Sequence, residues 1–167
     1  MSRDIPHNDS GKYERESDAI QSMFRRPFFL SLTIGIPFCV FKLLFGVVVI
    51  RTGAADNVFL IVTGWMVVLW AVSDLMMNTG RSILDLLHRP APFEYCTIAQ
   101  AGYFFRKPML FLAIDTFLAF SIICFMLWSG WITRLSLLES YLWYSATTMN
   151  LISLSLAGIY HEIQSSR

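Results

Sequence analysis

Four long apolar runs, separated by short polar segments, dominate the pattern of hydrophobic and polar positions along this chain. Each run is long enough to cross a bilayer as a helix, because a span needs roughly 20 residues at about 1.5 Å per residue. The pattern therefore predicts an all-α membrane protein with four transmembrane helices, at about residues 28–50, 57–78, 109–131 and 136–160. The first run follows 26 mostly polar residues and is longer than the apolar part of a secretion signal, so we expect it to be retained.

The connections between the runs predict how the helices pair. The links 51–56 and 132–135 are very short, so helices 1 and 2, and helices 3 and 4, should form two antiparallel hairpins. The middle segment, 89–108, is aromatic but too short to span, which predicts an amphipathic helix in the membrane interface or, alternatively, an irregular loop. Pro92 is a suitable first residue for such a helix, with Glu94 in its first turn.

The ends of the chain flank a transmembrane domain at 27–160. Residues 1–26 predict a polar N-terminal segment with a short amphipathic helix, and 161–167 form a short tail. The stretches "MFRRPFFLSL" (23–32) and "FFRKPMLFLA" (104–113) share an aromatic residue, a basic pair and a proline before an apolar run. This similarity indicates either a duplicated two-helix unit or convergence on a common way of starting a helix.

A polar stripe continues beyond the second apolar run, in "SDLMMNTGRSILDLLHRP" (73–90). Its members recur at intervals of three and four residues and would share one helix face: Asp74, Asn78, Arg81, Asp85 and His88. Either helix 2 ends at Gly80 and a short new helix follows, or one helix continues to His88. We favour continuity, because an apolar face persists opposite the polar one and six residues make a poor independent helix.

Composition and charge support the membrane assignment and indicate an orientation. Of the 167 residues, 55% are hydrophobic. The charged residues make up 15%, well below the quarter that is typical of soluble domains. The net charge of +1, without long basic runs, argues against nucleic-acid binding. Nine of the basic residues lie before helix 1 or between helices 2 and 3: Arg3, Lys12, Arg15, Arg25, Arg26, Arg81, Arg89, Arg106 and Lys107. The positive-inside rule then predicts a bacterial plasma (inner) membrane protein with both termini in the cytoplasm.

Three charged residues inside the predicted spans are the main candidates for chemistry, because charges in a bilayer are costly. Lys42 lies 14 residues, or roughly 21 Å, into helix 1, whereas Asp115 lies six residues, or roughly 9 Å, into helix 3. Asp74 is four residues from the end of helix 2 on the same side. These depths predict that the two carboxylates are neighbours that share a proton or a cation, and that Lys42 does not pair with Asp115. The structural alternative is that Lys42 extends toward the outer interface along its aliphatic stem.

Other polar and small residues suggest packing rather than chemistry. Asn150, near the middle of helix 4, is a candidate for bonding between helices, while Ser145, Ser153 and Ala157 form a stripe of small residues at multiples of four. Such a stripe suits close packing inside the bundle or against a partner. Arg81 and Asp85, beyond the predicted span, are candidates for a partner-facing surface.

The sequence contains no strong motif for a metal site, a cofactor site or a catalytic site. A weak surface metal site could be assembled from Asp85, His88, His161 and Glu162, but the paired Glu-x-x-His motif of di-metal bundles is missing, so no metal is predicted. The three cysteines are widely spaced and predict apolar filling rather than redox chemistry. We expect no cofactor, although bound lipid is possible, and no enzymatic activity.

Two functional hypotheses follow. The first is a non-enzymatic accessory, assembly or scaffold subunit of a larger membrane complex, which fits the short outer loops, the small-residue stripe and the lack of catalytic motifs. The alternative is a small oligomeric transporter or ion- or proton-conducting protein that uses Asp74, Asp115 and Lys42. Either hypothesis predicts the lipid bilayer and other membrane subunits, or further copies of the chain, as partners.

Overall fold

A computed structural model describes residues 31–54, 57–89 and 91–165 of the chain. All regular secondary structure in this part is helical: five α-helices, one π-helical turn at Ser31–Gly35 and one 3₁₀ turn at Trp131–Arg134. The α-helices are α1 (Ile36–Gly53), α2 (Val58–Leu86), α3 (Thr97–Phe104), α4 (Pro108–Trp128) and α5 (Leu137–Ser165). The predicted segment 1–26 lies outside the described residues, as does most of the first copy of the suggested repeat.

Three of the helical stretches are long and apolar enough to cross a membrane: Thr33–Gly53, Val58–Leu86 and Pro108–Trp128. They correspond to the first three predicted runs and support an integral membrane protein. The first is central to the fold. Half of the residues in its most apolar part are buried, against 17% in each of the other two stretches. Aromatic and aliphatic side chains of α1, including Phe38, Phe41 and Val48, form the main core with residues of α4 and α5.

Helix α1 has an irregular beginning that follows from its sequence. Pro37 occupies the first turn of the α-helix, where a residue without a backbone N–H is tolerated. The preceding turn, Ser31–Gly35, is π-helical. The regular part of α1 therefore starts at Ile36, eight residues after the start of the predicted run at 28.

Helix α2 runs without a break through Gly80 and ends at Leu86. The prediction of a continuous helix is thus confirmed, although it ends before His88, whose φ of 54° is incompatible with a right-handed helix. Asn57 caps its start, since the side-chain oxygen accepts hydrogen bonds from the backbone N–H groups of Phe59 and Leu60.

Glycines allow α1 and α2 to approach closely. A Cβ added to Gly64 would lie 2.8 Å from the backbone N of Ile50 and 2.9 Å from the backbone O of Gly46. A Cβ on Gly46 would in turn lie 3.0 Å from the backbone O of Gly64. This backbone-to-backbone contact is the arrangement that small residues permit between helices in lipid.

The segment between α2 and α4 contains a short helix, but the prediction that it starts at Pro92 is wrong. Helix α3 begins at Thr97, and Cys96 is its N-cap. The physical reason is that the chain before it is held by side chains: Gln100 accepts a hydrogen bond from the Glu94 N–H, and Arg81 donates one to the Phe93 carbonyl. In a helix that began at Pro92 the Phe93 carbonyl would bond to the Thr97 N–H, but Arg81 binds that carbonyl and the Thr97 N–H donates to Asp74.

Candidate functional site: a buried lysine–dicarboxylate cluster

Lys42 of α1 lies between two carboxylates contributed by different helices. Its Nζ donates to Asp74 Oδ2 of α2 at 2.7 Å and to Asp115 Oδ1 of α4 at 2.6 Å. The Lys42 and Asp74 side chains are 1% and 0% exposed, and that of Asp115 is 8% exposed. We call these three residues the charged cluster.

The depth argument against a Lys42–Asp115 ion pair is therefore wrong, while the predicted proximity of Asp74 and Asp115 is confirmed through their shared lysine. Counted from the first residue of each α-helix, Ile36 and Pro108, Lys42 is six residues in and Asp115 seven. The two positions are thus at similar distances along their helices.

Trp70 completes the surroundings of the Lys42 ammonium group. Its ring centroid lies 4.1 Å from Lys42 Nζ, close enough for a cation–π contact. Trp70 precedes Asp74 by four residues on α2, so both side chains lie on one helix face. Its own Nε1 is buried and has no hydrogen-bond partner among the described residues.

Thr97, at the beginning of α3, binds the other oxygen of Asp74. Its backbone N–H and its hydroxyl group both donate to Asp74 Oδ1, each at 2.7 Å. With the bond from Lys42, Asp74 accepts three hydrogen bonds, which is close to the capacity of a carboxylate. The positive end of the α3 dipole adds to this stabilisation.

Asp115 is less well satisfied than Asp74. Among the described contacts it accepts one hydrogen bond, from Lys42, against three for Asp74. With both carboxylates ionised, the cluster carries one ammonium and two carboxylate charges, a net charge of −1 in a buried place. Such an excess is costly unless a proton or another cation balances it.

A cavity of ≈ 250 Å³ adjoins the charged cluster. Its lining combines the two aspartates and Lys42 with apolar side chains such as Phe38 and Leu112. Three further groups that face it can form hydrogen bonds: Asn78, Tyr95 and Thr116. A concave, largely apolar space with a few converging polar groups is the usual form of a small-ligand site.

Arg81 holds the segment that covers one side of this cavity. It donates to the Phe93 carbonyl at 2.8 Å and to Glu94 Oε2 at 3.2 Å, and its guanidinium carbon lies 3.9 Å from the centroid of the Tyr95 ring. Arg81, suggested by the sequence as a partner-facing residue, thus binds the chain's own loop. Asp85 is half-buried, and its Oδ2 has no hydrogen-bond partner among the described residues.

The α5 candidates Ser145, Asn150 and Ser153 do not line the cavity. On α5, Asn150 and Ser153 are buried, and the Ser153 hydroxyl donates to the Met149 carbonyl at 2.8 Å and to the Thr33 carbonyl at 3.5 Å. Ser145 is exposed. The side chain of Ala157 lies outside the described part of the structure.

The weak metal candidates do not gain support from the described residues. His88 is exposed at the end of α2, and no group of three metal-ligating side chains occurs in the described part of the chain. The side chains of His161 and Glu162 lie outside that part.

Two of the three cysteines are buried, and Cys39 and Cys96 line the cavity. Cys96 lies outside the three apolar spans, and burial together with the negative charge of Asp115 raises the pKa of its thiol to about 12. The thiol therefore stays protonated at neutral pH and is a poor nucleophile, and its sulfur caps α3 by accepting a hydrogen bond from the Ala99 N–H.

Sequence reasoning identified the three members of the charged cluster but missed Thr97 and Trp70. The spacing of Trp70 and Asp74 was the available signal for the tryptophan, whereas Thr97 reaches Asp74 only because of the path of the loop before α3.

Neither a scan against protein-family models nor searches of curated proteins and of solved structures finds a match to this chain. The geometry of the site is therefore the basis for a functional proposal.

Proposed function

We propose that this chain is a small membrane transport protein in which the charged cluster exchanges a cation, with a proton held at Asp115 in one of its states. The observation that carries the proposal is the buried Lys42 ammonium group shared by Asp74 and Asp115 beside a cavity of ≈ 250 Å³. Buried charges are retained in membrane spans mainly where they bind, relay or sense ions.

The two carboxylates have different roles in this proposal. Asp74 has three hydrogen bonds and remains the permanent counter-ion of Lys42. Asp115 has fewer donors, faces the cavity and takes up or releases the exchanged proton. Protonation of Asp115 changes the charge of the cluster from −1 to 0, so it alters the attraction between Lys42 and the two helices that carry the aspartates.

The scaffold hypothesis has less support from the described contacts. Ser153, part of the small-residue stripe on which it depended, packs inside the chain against the π-helical turn that precedes α1. Arg81 also binds its own loop rather than presenting its guanidinium group to a partner. The transport proposal requires neither a cofactor nor an enzymatic step, and it leaves bound lipid and further copies of the chain as partners.

The proposal includes four membrane spans arranged as two antiparallel hairpins. Helix α5 has 29 residues, or roughly 44 Å, which exceeds the roughly 30 Å of a hydrocarbon core. Contacts at its two ends support a course antiparallel to α1: Arg51 pairs with Glu139 at 2.6 Å, and Ser153 lies near Thr33. The excess of basic residues before α1 and between α2 and α4 supports a cytoplasmic position for both termini.

Proton flux into proteoliposomes tests the proposal. The purified chain is reconstituted with a pH-sensitive dye and a test cation inside, inorganic or organic in separate batches, and internal acidification is followed after the outside is acidified, so that one cation can leave as each proton enters. We expect the wild type to carry protons and Asp115→Asn to lose at least 90% of the protein-dependent rate. Glu139→Gln is the matched control, because it removes a carboxylate from a pair whose arginine is 49% exposed, far from the cavity. Equal rates in Asp115→Asn and the wild type would refute the proposal.

A further inference from the structure

We infer that the cavity beside the charged cluster binds a small primary ammonium compound with an apolar or aromatic body. The inference rests on the proposed function and names the class of substrate for the same site. The ammonium group would contact Asp115, and the apolar part would pack against the wall that includes Phe38 and Leu112.

The charges of the lining determine the sign of the ligand. Lys42 is the one basic residue among the described lining residues, and two of its three N–H groups already donate to Asp74 and Asp115. Its remaining side faces the Trp70 ring at 4.1 Å. Lys42 is thus poorly placed to bind an anion, whereas Asp115 has acceptor capacity left and the cluster has a net charge of −1. A cation is the complementary ligand.

The size and the walls of the cavity limit the ligand further. A volume of ≈ 250 Å³ is somewhat below the roughly 300–1,000 Å³ of drug-sized pockets. The apolar side chains of Ile34, Phe38 and Leu112 form a wall that offers no ligands to a cation but can bury a hydrocarbon or a ring. A small organic ammonium ion, with its charge at Asp115 and its apolar body against this wall, satisfies both conditions.

Binding of this ligand competes with the proton at Asp115. A protonated Asp115 has no negative charge to attract an ammonium group, and an ammonium group at Asp115 stabilises the ionised carboxylate. One ammonium ion that enters the protonated site therefore releases one proton, and the charge of the occupied site remains balanced. This exchange predicts that binding weakens as the pH falls and that a proton is released on binding.

Three ligands of nearly equal shape test the inference: benzylammonium, benzyl alcohol and benzoate. Their binding to the purified full-length chain in detergent is measured by isothermal titration calorimetry, with Trp fluorescence as a second readout because Trp70 lies against Lys42. We expect benzylammonium to bind at least 10-fold more tightly than benzyl alcohol, benzoate not to bind, and protons to be released into a weakly buffered solution. Tighter binding of benzoate, or equal binding of the alcohol and the ammonium ion, would overturn the inference.

Two variants locate the binding site. Asp115→Asn should weaken benzylammonium binding at least 10-fold, while Glu139→Gln leaves it unchanged. If Asp115→Asn does not fold, Thr116→Leu serves instead, because it reduces the cavity while it keeps all three charges. Binding that survives in the folded variant contradicts the proposed site.

The outcomes separate this inference from the proposed function. Proton flux that depends on Asp115, without benzylammonium binding, refutes the inference and leaves the transport proposal intact. Benzylammonium binding that depends on Asp115, without any flux, supports the ligand class and refutes transport.

Discussion

Removal of the Lys42 ammonium group is the sharpest test of the charged cluster. Lys42→Met keeps much of the aliphatic side chain but leaves Asp74 Oδ2 and Asp115 Oδ1 without their common donor. Both carboxylates are buried, at 0% and 8% exposure of the side chain, so water can replace the lost bonds only in part. Removing one partner from a buried ion pair typically costs about 3–5 kcal/mol. We expect a loss of this size in the free energy of unfolding.

The structure predicts a smaller loss for Asp115→Asn. In this variant Lys42 keeps its bond to Asp74 at 2.7 Å, and the net charge of the cluster becomes zero. One charged hydrogen bond is weakened, which costs about 1.5–3 kcal/mol before the relief of the excess negative charge is counted. The triple variant Lys42→Met, Asp74→Asn, Asp115→Asn removes all three charges and should recover most of the loss caused by Lys42→Met alone.

Thermal unfolding in detergent, followed by the loss of helical circular dichroism, measures these differences. For a chain of this size each 1 kcal/mol corresponds to roughly 2–4 °C, so Lys42→Met should lower Tm by roughly 6–20 °C. The order of stability should be wild type, then Asp115→Asn, then Lys42→Met. A Lys42→Met variant as stable as Asp115→Asn would show that the ammonium group does not compensate two buried carboxylates, and it would refute the reasoning.

Two further predictions concern parts of the fold around the cluster. Gly64→Ala should lower stability by about 1–3 kcal/mol, because its new Cβ would lie 2.8 Å from a backbone nitrogen of α1. Gly158→Ala is the control for that measurement, since its Cβ meets nothing within 4 Å and should be neutral or slightly stabilising; a harmless Gly64→Ala would contradict the close contact. In a variant that retains Cys96 as its one cysteine, a membrane-permeant maleimide should react far more slowly with the folded protein than with protein unfolded in sodium dodecyl sulfate, because a pKa of about 12 leaves about one thiolate in 10,000 at pH 8. The Cys96 reaction should accelerate as the pH rises toward 12, and similar rates for the folded and the unfolded protein at pH 8 would show that Cys96 is not buried.

Much of the helical architecture could be predicted from the sequence, because the responsible forces act locally along the chain. Long apolar runs predict membrane-spanning helices, since backbone groups in lipid must bond to one another. The apolar face that continues past Gly80 also predicted an unbroken α2, as the structure confirms. The high cost of a charge in lipid was sufficient to select Lys42, Asp74 and Asp115 as candidates.

Only the tertiary structure decided how those candidates are joined. Depth along a helix depends on where the helix starts, and the sequence could not show that regular α1 begins at Ile36 behind a π-helical turn. The rotation of each helix and the reach of a lysine side chain then determine whether two charges meet, and neither follows from hydrophobicity. Thr97 is bound to Asp74 because Arg81 and Gln100 hold the loop before α3 in a non-helical path. Local periodicity thus predicted the helices and their costly charges, whereas the cluster itself depends on contacts between residues 32 and 73 positions apart in the chain.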